Sequence, residues 1–325
     1  MSPTGTRSYW KNKKTLRVTR CALRVEKQNL RPWVKELTRN LERGTRNVYF
    51  MITSKTNPKI KEIRLLKQAR HRQTRGEYFI EGVRLVEEAL RQELPVRKFI
   101  YSPRLEETRR GVKLLSSARK RFSGAEWHFG SDEVLGSVSD TQSHQGVLAV
   151  LKKRESSWEE LGKRKGMILV LFELQDPGNL GTIFRVTEAG GAAGLVLSKG
   201  TLDPYSPKVL RASMGSFFRL PFLADQDPFE SLRILRSKGF RVWATTGHGG
   251  TFFWEADFAP QSAVLLGQEG AGLPPALMEE ADGLLTIPMW PGVESLNVAM
   301  AAGLVVYEAF RRQRARSILA FQSPG

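Results

Sequence analysis

The sequence contains a single cysteine, Cys21, and only four histidines among 325 residues. One cysteine excludes an internal disulfide and any cluster of thiolate metal ligands, and the scattered histidines show no ligand spacing. No apolar run approaches the roughly 18 residues of a transmembrane helix. These absences predict a soluble protein without a metal site or membrane span, and we expect it in the reducing environment of the cytoplasm.

Two nucleotide-binding signatures are also missing from the chain. No Gly-x-Gly-x-x-Gly sequence follows the first apolar strand of the second half, and no Gly-Lys-Ser/Thr phosphate loop occurs. The glycines of such motifs bring the backbone close to phosphate groups. The sequence therefore disfavours binding of dinucleotides and of nucleoside triphosphates.

Positive charge, in contrast, is in large excess. The formal net charge is +18 at pH 7, so polyanions, above all nucleic acids, are the expected partners. Residues 1–50 alone carry 13 Lys or Arg against three Glu, which predicts a basic, disordered extension. Two alternatives stay open: the protein starts at Met51, or the extension is an organellar transit peptide, although serine is scarce.

Helical and strand-like patterns alternate over residues 51–151 and predict a small α/β domain. The segment Lys55–Arg75 has Glu62 as its only acid, so contact with phosphates is favoured over a merely solvated charged face. The predicted strands are Tyr78–Ile80, Val96–Tyr101, Trp127–Phe129 and Gly146–Leu151. The predicted nucleic-acid contacts are Lys55, Lys59, Arg64, Lys67, Arg70, Arg72 and Arg75.

The second half of the chain reads as a larger α/β domain. Residues 152–166 lack a continuous apolar face and predict a linker, residues 167–315 form the domain, and 316–325 are a short tail. An uninterrupted apolar strand, Met167–Phe172, is typical of a parallel sheet buried on both faces. Five more strands predict a six-stranded, doubly wound sheet. They are Gly194–Leu197, Phe218–Leu223, Phe240–Thr245, Ala263–Leu266 and Leu284–Ile287.

Two apolar runs near the C-terminus each end in a turn, and a helical pattern follows them. The run Ala263–Leu266 stops at the glycine-rich Gly267–Gly272, where a backbone can approach a ligand closely. The run Gly283–Ile287 ends at Pro288, and Ser295 stands where the N-cap of a helix is expected. We therefore expect the ends of these two strands and the N-terminus of this helix to lie together around a small ligand.

Polar side chains in these turns are candidates for chemistry. Asn179 and Arg185 follow the first buried strand, where a surface arginine becomes a site candidate rather than a solvated charge. Glu269 lies between glycines, which fits either a substrate-orienting carboxylate or a turn residue. Ser295 and Asn297 fit helix capping as well as ligand contact.

Three ordered motifs give the chain a resemblance to the SpoU (TrmH-like) branch of the SPOUT RNA methyltransferases. The family motifs read roughly DPGNxGxxxR, then GNEGxG, then IPM followed by SLN. The chain has DPGNLGTIFR at 176–185, GQEG at 267–270, IPM at 287–289 and SLN at 295–297. Gln268 replaces the usual asparagine with another neutral amide. The segment RGEYFIEG at 75–82 also resembles the family's RNA-binding domain, so the resemblance covers about 52–312.

The resemblance implies a parallel-sheet domain with a trefoil knot within Ala263–Arg312, preceded by a small RNA-binding domain. It implies S-adenosylmethionine as methyl donor, held by Gly267, Ile287 and Leu296. It also implies a homodimer in which each site is completed by its neighbour. The implied catalytic residues are Arg185, Asn179, Glu269, Ser295 and Asn297.

These features together predict 2′-O-ribose methylation of ribosomal or transfer RNA. Such a transfer needs a held donor, an aligned acceptor, a fate for the proton and stabilisation of charge on oxygen. Arg185 is expected to stabilise that charge as a cation rather than to take the proton, because arginine stays protonated in proteins. The alternative is a non-catalytic RNA-binding factor, for example in ribosome assembly, that keeps the fold.

Overall fold

The computed structural model describes residues 51–141, 143–154, 156–258 and 261–322, with side chains described at the C-terminal end as far as Arg314. The predicted basic extension, residues 1–50, lies outside the described residues. The chain forms two compact units. Of the described residues, the first unit takes those up to Arg64 with Glu81–Val83 and Val96–Ala149, and the second takes Leu65–Ile80, Arg84–Pro95 and the residues from Val150 onward.

Four strands and their helices occupy the first part of the chain. In order they are α1 (Pro58–Leu65), α2 (Ala69–Arg75), β1 (Glu77–Glu81), α3 (Val83–Arg91), β2 (Val96–Tyr101), a 3-10 helix (Pro103–Glu107), α4 (Arg109–Arg121), β3 (Glu126–Phe129), α5 (Asp132–Val138) and β4 (Val147–Lys152). The strands form one sheet in the order β1-β4-β2-β3, in which β2 and β3 run parallel. All four strands predicted for this region are confirmed.

A seven-stranded sheet is built by the second part of the chain. Its elements are α6 (Trp158–Gly162), β5 (Ile168–Leu171), α7 (Pro177–Ala189), β6 (Gly194–Ser198), α8 (Pro207–Ala212), α9 (Ser216–Arg219), β7 (Phe222–Gln226), α10 (Pro228–Ser237), β8 (Arg241–Thr246), β9 (Thr251–Phe252), β10 (Ser262–Leu266), α11 (Pro275–Glu279), β11 (Gly283–Thr286) and α12 (Val298–Gln322). The strand order is β7-β6-β5-β10-β8-β11-β9, and every pairing is parallel. The predicted parallel α/β architecture is confirmed.

Two details of the predicted sheet are wrong. The apolar run Phe218–Leu223 divides between the end of helix α9 and the start of strand β7, because Gly215 starts a helical turn at φ 95° and Pro221 separates that turn from the strand. The seventh strand, β9, was missed because two residues are too few to show an alternating pattern. Neither difference affects β5, β10 and β11, the strands that precede the sequence motifs.

Two of the predicted segment boundaries, at residues 152 and 315, fall inside structural elements. Residues 152–166 contain α6, and its Leu161 is buried in the core of the large sheet. The helix α12 continues beyond residue 315, the predicted end of the second domain. The second compact unit also includes Leu65–Ile80 and Arg84–Pro95. The domain limits proposed from the sequence therefore stay predictions.

The order of the central strands determines what lies at the carboxyl edge of the large sheet. β10 lies between β5 and β8, and β8 pairs on its other side with β11. Because these strands are parallel, the turn after β5, the loop after β10 and the segment after β11 leave the sheet at the same edge. This order interleaves strands that are distant in sequence. The trefoil knot implied by the resemblance stays a prediction.

The described residues contain neither a membrane-spanning helix nor a cluster of metal-ligating side chains. Within the described ranges, no helix combines the length and the apolar character needed to cross a bilayer. The longest, α12, has 25 residues but carries Arg311, Arg312 and Arg314. Over the same residues, no three His, Cys, Asp or Glu side chains come together as a metal site.

Arg72 is a correction to the predicted nucleic-acid contacts. Its side chain is only 3% exposed, in contrast to the neighbouring cations of α2. The guanidinium donates from Nε to Asp203 Oδ2 at 2.7 Å and from Nη1 to the carbonyl oxygens of Leu66 and Lys67 at 2.8 and 2.7 Å. Because basic residues recur along the whole of α2, the sequence does not distinguish the buried Arg72 from its exposed neighbours. Arg72 therefore has a structural role.

Replacing Arg72 tests this role. Arg72→Met leaves the Asp203 carboxylate without its cation, and breaking a buried pair from one side costs about 3–5 kcal/mol. Asp203 keeps 19% side-chain exposure, so we expect a loss near the lower end, about 3 kcal/mol of unfolding free energy in urea. Arg70→Met, on the same helix but exposed, is the control and should change stability by less than about 0.5 kcal/mol. Equal, small losses in both variants would show that the pair does not stabilise the fold.

Candidate active site

A cavity of about 420 Å³ opens at the carboxyl edge of the large sheet, beside the ends of β8, β10 and β11. Its volume is within the range of about 300 to 1,000 Å³ that is usual for small-ligand sites. All three residues predicted to hold a methyl donor line it, together with three of the predicted catalytic residues. These six are Gly267, Ile287, Leu296, Glu269, Ser295 and Asn297.

The loop after β10 is a narrow backbone turn against this cavity. Gln268 and Gly272 pair through both of their backbone N–H and C=O groups, at 3.2 and 3.0 Å. Gly270 and Gly272 have φ of 94° and 70°, the left-handed region that favours glycine. A Cβ on Gly267 would lie 2.3 Å from the carbonyl carbon of Gly272. Only glycine therefore fits at position 267 without a shift of the loop.

Asn179, Glu269 and Asn297 are joined in one chain of hydrogen bonds. Asn297 Nδ2 donates to Asn179 Oδ1 at 2.8 Å, and Asn179 Nδ2 donates to Glu269 Oε1 at 2.9 Å. Glu269 Oε2 also accepts a hydrogen bond from the backbone amide of Gln175 at 3.3 Å. Predicted catalytic residues from three separate motifs thus meet in one network, which we call the amide–carboxylate chain.

The N-terminus of α12 sets the direction of the amide–carboxylate chain. Asn297 Oδ1 accepts from the backbone amides of Ala299 and Met300 at 3.0 and 3.3 Å. With its oxygen engaged, Asn297 must donate to Asn179, which in turn must donate to the carboxylate. Asn297 is therefore the N-cap of α12, and the prediction that Ser295 caps this helix is wrong. Asparagine caps helices at least as well as serine.

Arg185 lies apart from both the cavity and the chain of hydrogen bonds. Asp176 caps α7 by accepting from the Asn179 backbone amide at 2.7 Å, which holds Asn179 in the first turn. Arg185 lies six residues further along α7, is exposed and does not line the cavity. Among the described residues, no hydrogen bond or ion pair engages its guanidinium. The structure leaves Arg185 as a cation open to an external anion.

The remaining predicted nucleic-acid contacts lie on or near α1 and α2. Lys55, Lys59, Arg70 and Arg75 are exposed, and Arg64 and Lys67 are half-buried. Lys59 Nζ lies 2.5 Å from Glu126 Oε1, an ion pair between two side chains that are each 46% exposed. Arg64 donates to Ser137 Oγ at 2.8 Å. Exposed pairs of this kind are weak, so Lys59 remains available to a phosphate.

The end of β8 supplies a cavity wall that the sequence did not indicate. Thr245, Thr246 and Gly247 line the cavity, and Thr245 Oγ1 donates to the Leu265 carbonyl at 2.9 Å. The sequence predicted the strand but not its place beside β10. The only signal in the sequence was the pair of threonines at the carboxyl end of this strand. It indicates a cavity wall only when β8 is known to lie beside β10.

Placing a second carboxylate at position 179 tests the amide–carboxylate chain. In Asn179→Asp, like charges about 3 Å apart raise the pKa of one carboxyl above its unfolded value. The folded state then binds more protons than the unfolded state, so the variant loses stability as the pH rises from 4 to 7. We expect a deficit relative to wild type of about 1 kcal/mol at pH 7, because the site is partly exposed. Urea denaturation at several pH values measures it.

Asn297→Asp is the matched control for this experiment. It makes the same chemical change but keeps an oxygen for the α12 amides, and a negative charge is favourable at a helix N-terminus. Its deficit should be smaller and nearly independent of pH. A deficit in Asn179→Asp that stays constant between pH 4 and 7 would contradict the contact between residues 179 and 269.

Known protein families match both halves of the chain. The model of the SpoU rRNA Methylase family matches residues 166–307. The model of the MRM3-like substrate binding domain matches residues 57–149. The first match includes the cavity, the glycine loop and the whole amide–carboxylate chain.

Relatives and solved structures agree with these matches over most of the chain. An uncharacterized tRNA/rRNA methyltransferase of Synechocystis is 36% identical, covering 82% of this chain and 95% of the relative. A 23S rRNA (guanosine(2553)-2′-O)-methyltransferase of Bacillus subtilis is 32% identical over 79% of this chain and 97% of its own length. The crystal structure of an AdoMet-bound rRNA methyltransferase from Sinorhizobium meliloti superposes with a TM-score of 0.71 at 32% identity, covering 81% and 97% of the two chains. The resemblance seen in the motifs is thereby confirmed, and the chain belongs to the SpoU rRNA methylase family.

Proposed function

We propose that this protein transfers a methyl group from S-adenosylmethionine to a ribose 2′-hydroxyl of ribosomal RNA. The observation that carries the proposal is the meeting of Asn179, Glu269 and Asn297 in one hydrogen-bonded chain beside a ligand-sized cavity. The names of the relatives support it, because the Bacillus subtilis protein is a 23S rRNA 2′-O-methyltransferase and the Sinorhizobium meliloti structure contains AdoMet.

The cavity suits the methyl donor because it combines apolar walls with carboxylates. Leu285, Ile287 and Leu296 line it, as do Glu269 and Glu294. Apolar side chains accept a flat purine ring, and carboxylates are favourable neighbours for cationic groups. When bound, S-adenosylmethionine supplies an electrophilic methyl group. The glycine loop and these apolar side chains would hold its adenosine part.

The amide–carboxylate chain positions the acceptor. Glu269 is exposed and accepts from Asn179 and Gln175, and its remaining lone pairs are free to accept from a ribose hydroxyl. Such a bond orients the 2′-oxygen toward the cavity, and correct orientation contributes a large part of a transfer rate. The exposed hydroxyl of Ser295 is a further contact for the sugar or its phosphate. The proton leaves to water or to a phosphate oxygen.

Arg185 supplies the positive charge that the cavity lacks. The described residues that line the cavity include no Lys or Arg, yet negative charge develops on the acceptor oxygen during the transfer. A permanently charged guanidinium stabilises this oxygen and binds the adjacent phosphate. Because Arg185 does not line the cavity of its own chain, the site is completed by a neighbouring subunit.

The surface of α12 supports a homodimer. Met300, Leu304 and Tyr307 are 61%, 40% and 49% exposed, and their spacing puts them on one side of the helix as an apolar stripe. The opposite side, with Val305 and Val306, is buried, and α12 packs there against α7, which carries Arg185. The second copy is therefore placed on the apolar stripe of α12, the helix that packs directly against the one carrying Arg185. A homodimer would bring Arg185 of one chain to the donor cavity of the other, which the described residues of its own chain supply with no cation.

RNA binding is assigned to the exposed cations of α1 and α2. Lys55, Lys59, Arg70 and Arg75 would neutralise phosphates, with Arg64 and Lys67 in support. Contacts of this kind position the RNA without reading its sequence. A cytoplasmic location accords with such a substrate and stays a prediction.

The reaction and the role of Arg185 are tested together by single-turnover methyl transfer to ribosomal RNA. Loss of one group that stabilises an oxyanion costs about 10² to 10³ in rate, so Arg185→Ala should slow the transfer by that factor while donor affinity is unchanged. Arg185→Lys should recover part of the rate, because lysine keeps the charge but not the planar fork. Wild type that binds ribosomal RNA and transfers no methyl group would instead identify a non-catalytic RNA-binding factor.

Pairing through the apolar stripe is tested by placing a charge in it. Leu304→Glu should be monomeric at micromolar concentration by sedimentation velocity, because an unpaired charge is costly to bury. The control Val112→Glu makes the same change on α4 at a residue of matching exposure, 42%, and should remain dimeric.

Mixing two inactive variants tests whether the neighbour completes the site. Heterodimers of Arg185→Ala and Asn179→Ala contain one site with both native residues, so a random mixture should regain about a quarter of the wild-type activity. A wild type that is monomeric and fully active, or a mixture without recovery, would contradict the shared site.

A further inference from the structure

A second cavity, of about 300 Å³, lies within the second unit and shares no lining residue with the first. It opens at the ends of β6 and β7, beside α2. Its size is at the lower limit for small-ligand sites, which suits one nucleobase rather than a dinucleotide. The residues that give it polar character are Gln73, Lys153, Thr201, Asp203, Tyr205 and Asp225.

Lys153 is a partly desolvated donor in this cavity. Its Nζ lies 4.6 Å from the ring centroid of Tyr205. Among the described residues, no oxygen accepts a hydrogen bond from this ammonium group. Burial lowers the pKa of Lys153 below its ordinary value, although the nearby Asp203 carboxylate acts in the opposite direction. An acceptor on a ligand would satisfy this group.

Asp225 is an acceptor without a protein partner among the described residues. It is exposed, and its backbone has φ of 59°, a left-handed conformation in which asparagine and aspartate are the commonest residues after glycine. Asp203 differs, because its carboxylate already accepts from Arg72 and from the backbone amide of Tyr205. Among the described residues, the cavity therefore presents one cationic donor without a hydrogen-bond acceptor, Lys153, and one carboxylate without a donor, Asp225.

We propose that this cavity binds an unpaired guanine base of the RNA substrate, an inference that rests on the proposed function. Guanine has O6 and N7 acceptors that lysine contacts in nucleic-acid complexes, and its N1–H and N2–H₂ are adjacent donors that fit one carboxylate. Adenine, cytosine and uracil lack such a donor pair beside an acceptor edge. RNA is read in this way through unstacked bases.

The surface around the cavity fits an RNA strand. Ala69 and Gln73, both lining residues, are on one side of α2. Arg70 is three residues before Gln73 and therefore its neighbour on the helix surface, and it is exposed. It is placed to contact the phosphate beside a bound base.

Base-specific binding by the full chain tests the proposal. The probes are labelled single-stranded hexanucleotides that differ only at one position, UUUGUU against UUUAUU, UUUCUU and U₆, measured by fluorescence anisotropy. We expect the guanine probe to bind about tenfold more tightly than the others, the usual size of one good base contact. Asp225→Asn and Lys153→Gln should each reduce this preference to less than about threefold. Asparagine tolerates the left-handed backbone at 225, so the first variant should fold normally.

Glu279→Gln is the matched control, since it neutralises an exposed carboxylate on α11 that lines neither cavity. It should keep the full preference for guanine. Equal binding of all four probes by wild type, or a preference that survives in both cavity variants, would overturn the proposal. Methyl transfer is measured separately: a guanine preference that tracks the two variants without any methyl transfer would reject the proposed function and retain the base site.

Discussion

Two backbone amides at the start of α12 determine the hydrogen bonding of the candidate site. The amides of Ala299 and Met300 engage the oxygen of Asn297, and this leaves only its amide nitrogen for Asn179. Asn179 then accepts through its Oδ1 and must donate through its Nδ2, so the chain of hydrogen bonds ends at the Glu269 carboxylate. A helix terminus has orphan amides that need acceptors, and here this ordinary need fixes the orientation of groups almost 120 residues apart in sequence.

The strand order gives these groups their positions. Asn179 follows β5, Glu269 follows β10 and Asn297 follows β11, and the first two strands are neighbours in the sheet. If β10 paired elsewhere, the glycine loop would leave the sheet away from α7. The steric demand at Gly267, where a Cβ would meet Gly272 at 2.3 Å, keeps this loop tight against the strand end. The strand order and the lack of a side chain at Gly267 thus both shape the cavity.

Apolar runs in the sequence predicted the strands near the motifs. Glu269, Ser295 and Asn297 were candidates from their places in the turns, whereas Gly267, Ile287 and Leu296 were implied only by the family resemblance, and all six line the cavity. Prediction from the sequence failed where the outcome depends on packing. Ser295 and Asn297 are both good capping residues, and only the actual start of α12 decides between them. Arg72 and Arg70 are equally basic in sequence, but one pairs with Asp203 and the other remains in solvent. The wall formed by Thr245 depended on strand order, which a single sequence does not encode locally.

The helix α12 joins two features of the molecule, since its first amides bind Asn297 and its exposed side carries the apolar stripe of Met300, Leu304 and Tyr307. Because Met300 takes part in both features, ligand binding beside Asn297 and association through the proposed surface would be energetically coupled. Free-energy coupling between two binding events is reciprocal. Association would then strengthen donor binding by the same factor by which the donor strengthens association, and the affinity for the donor would rise with the concentration of the protein itself.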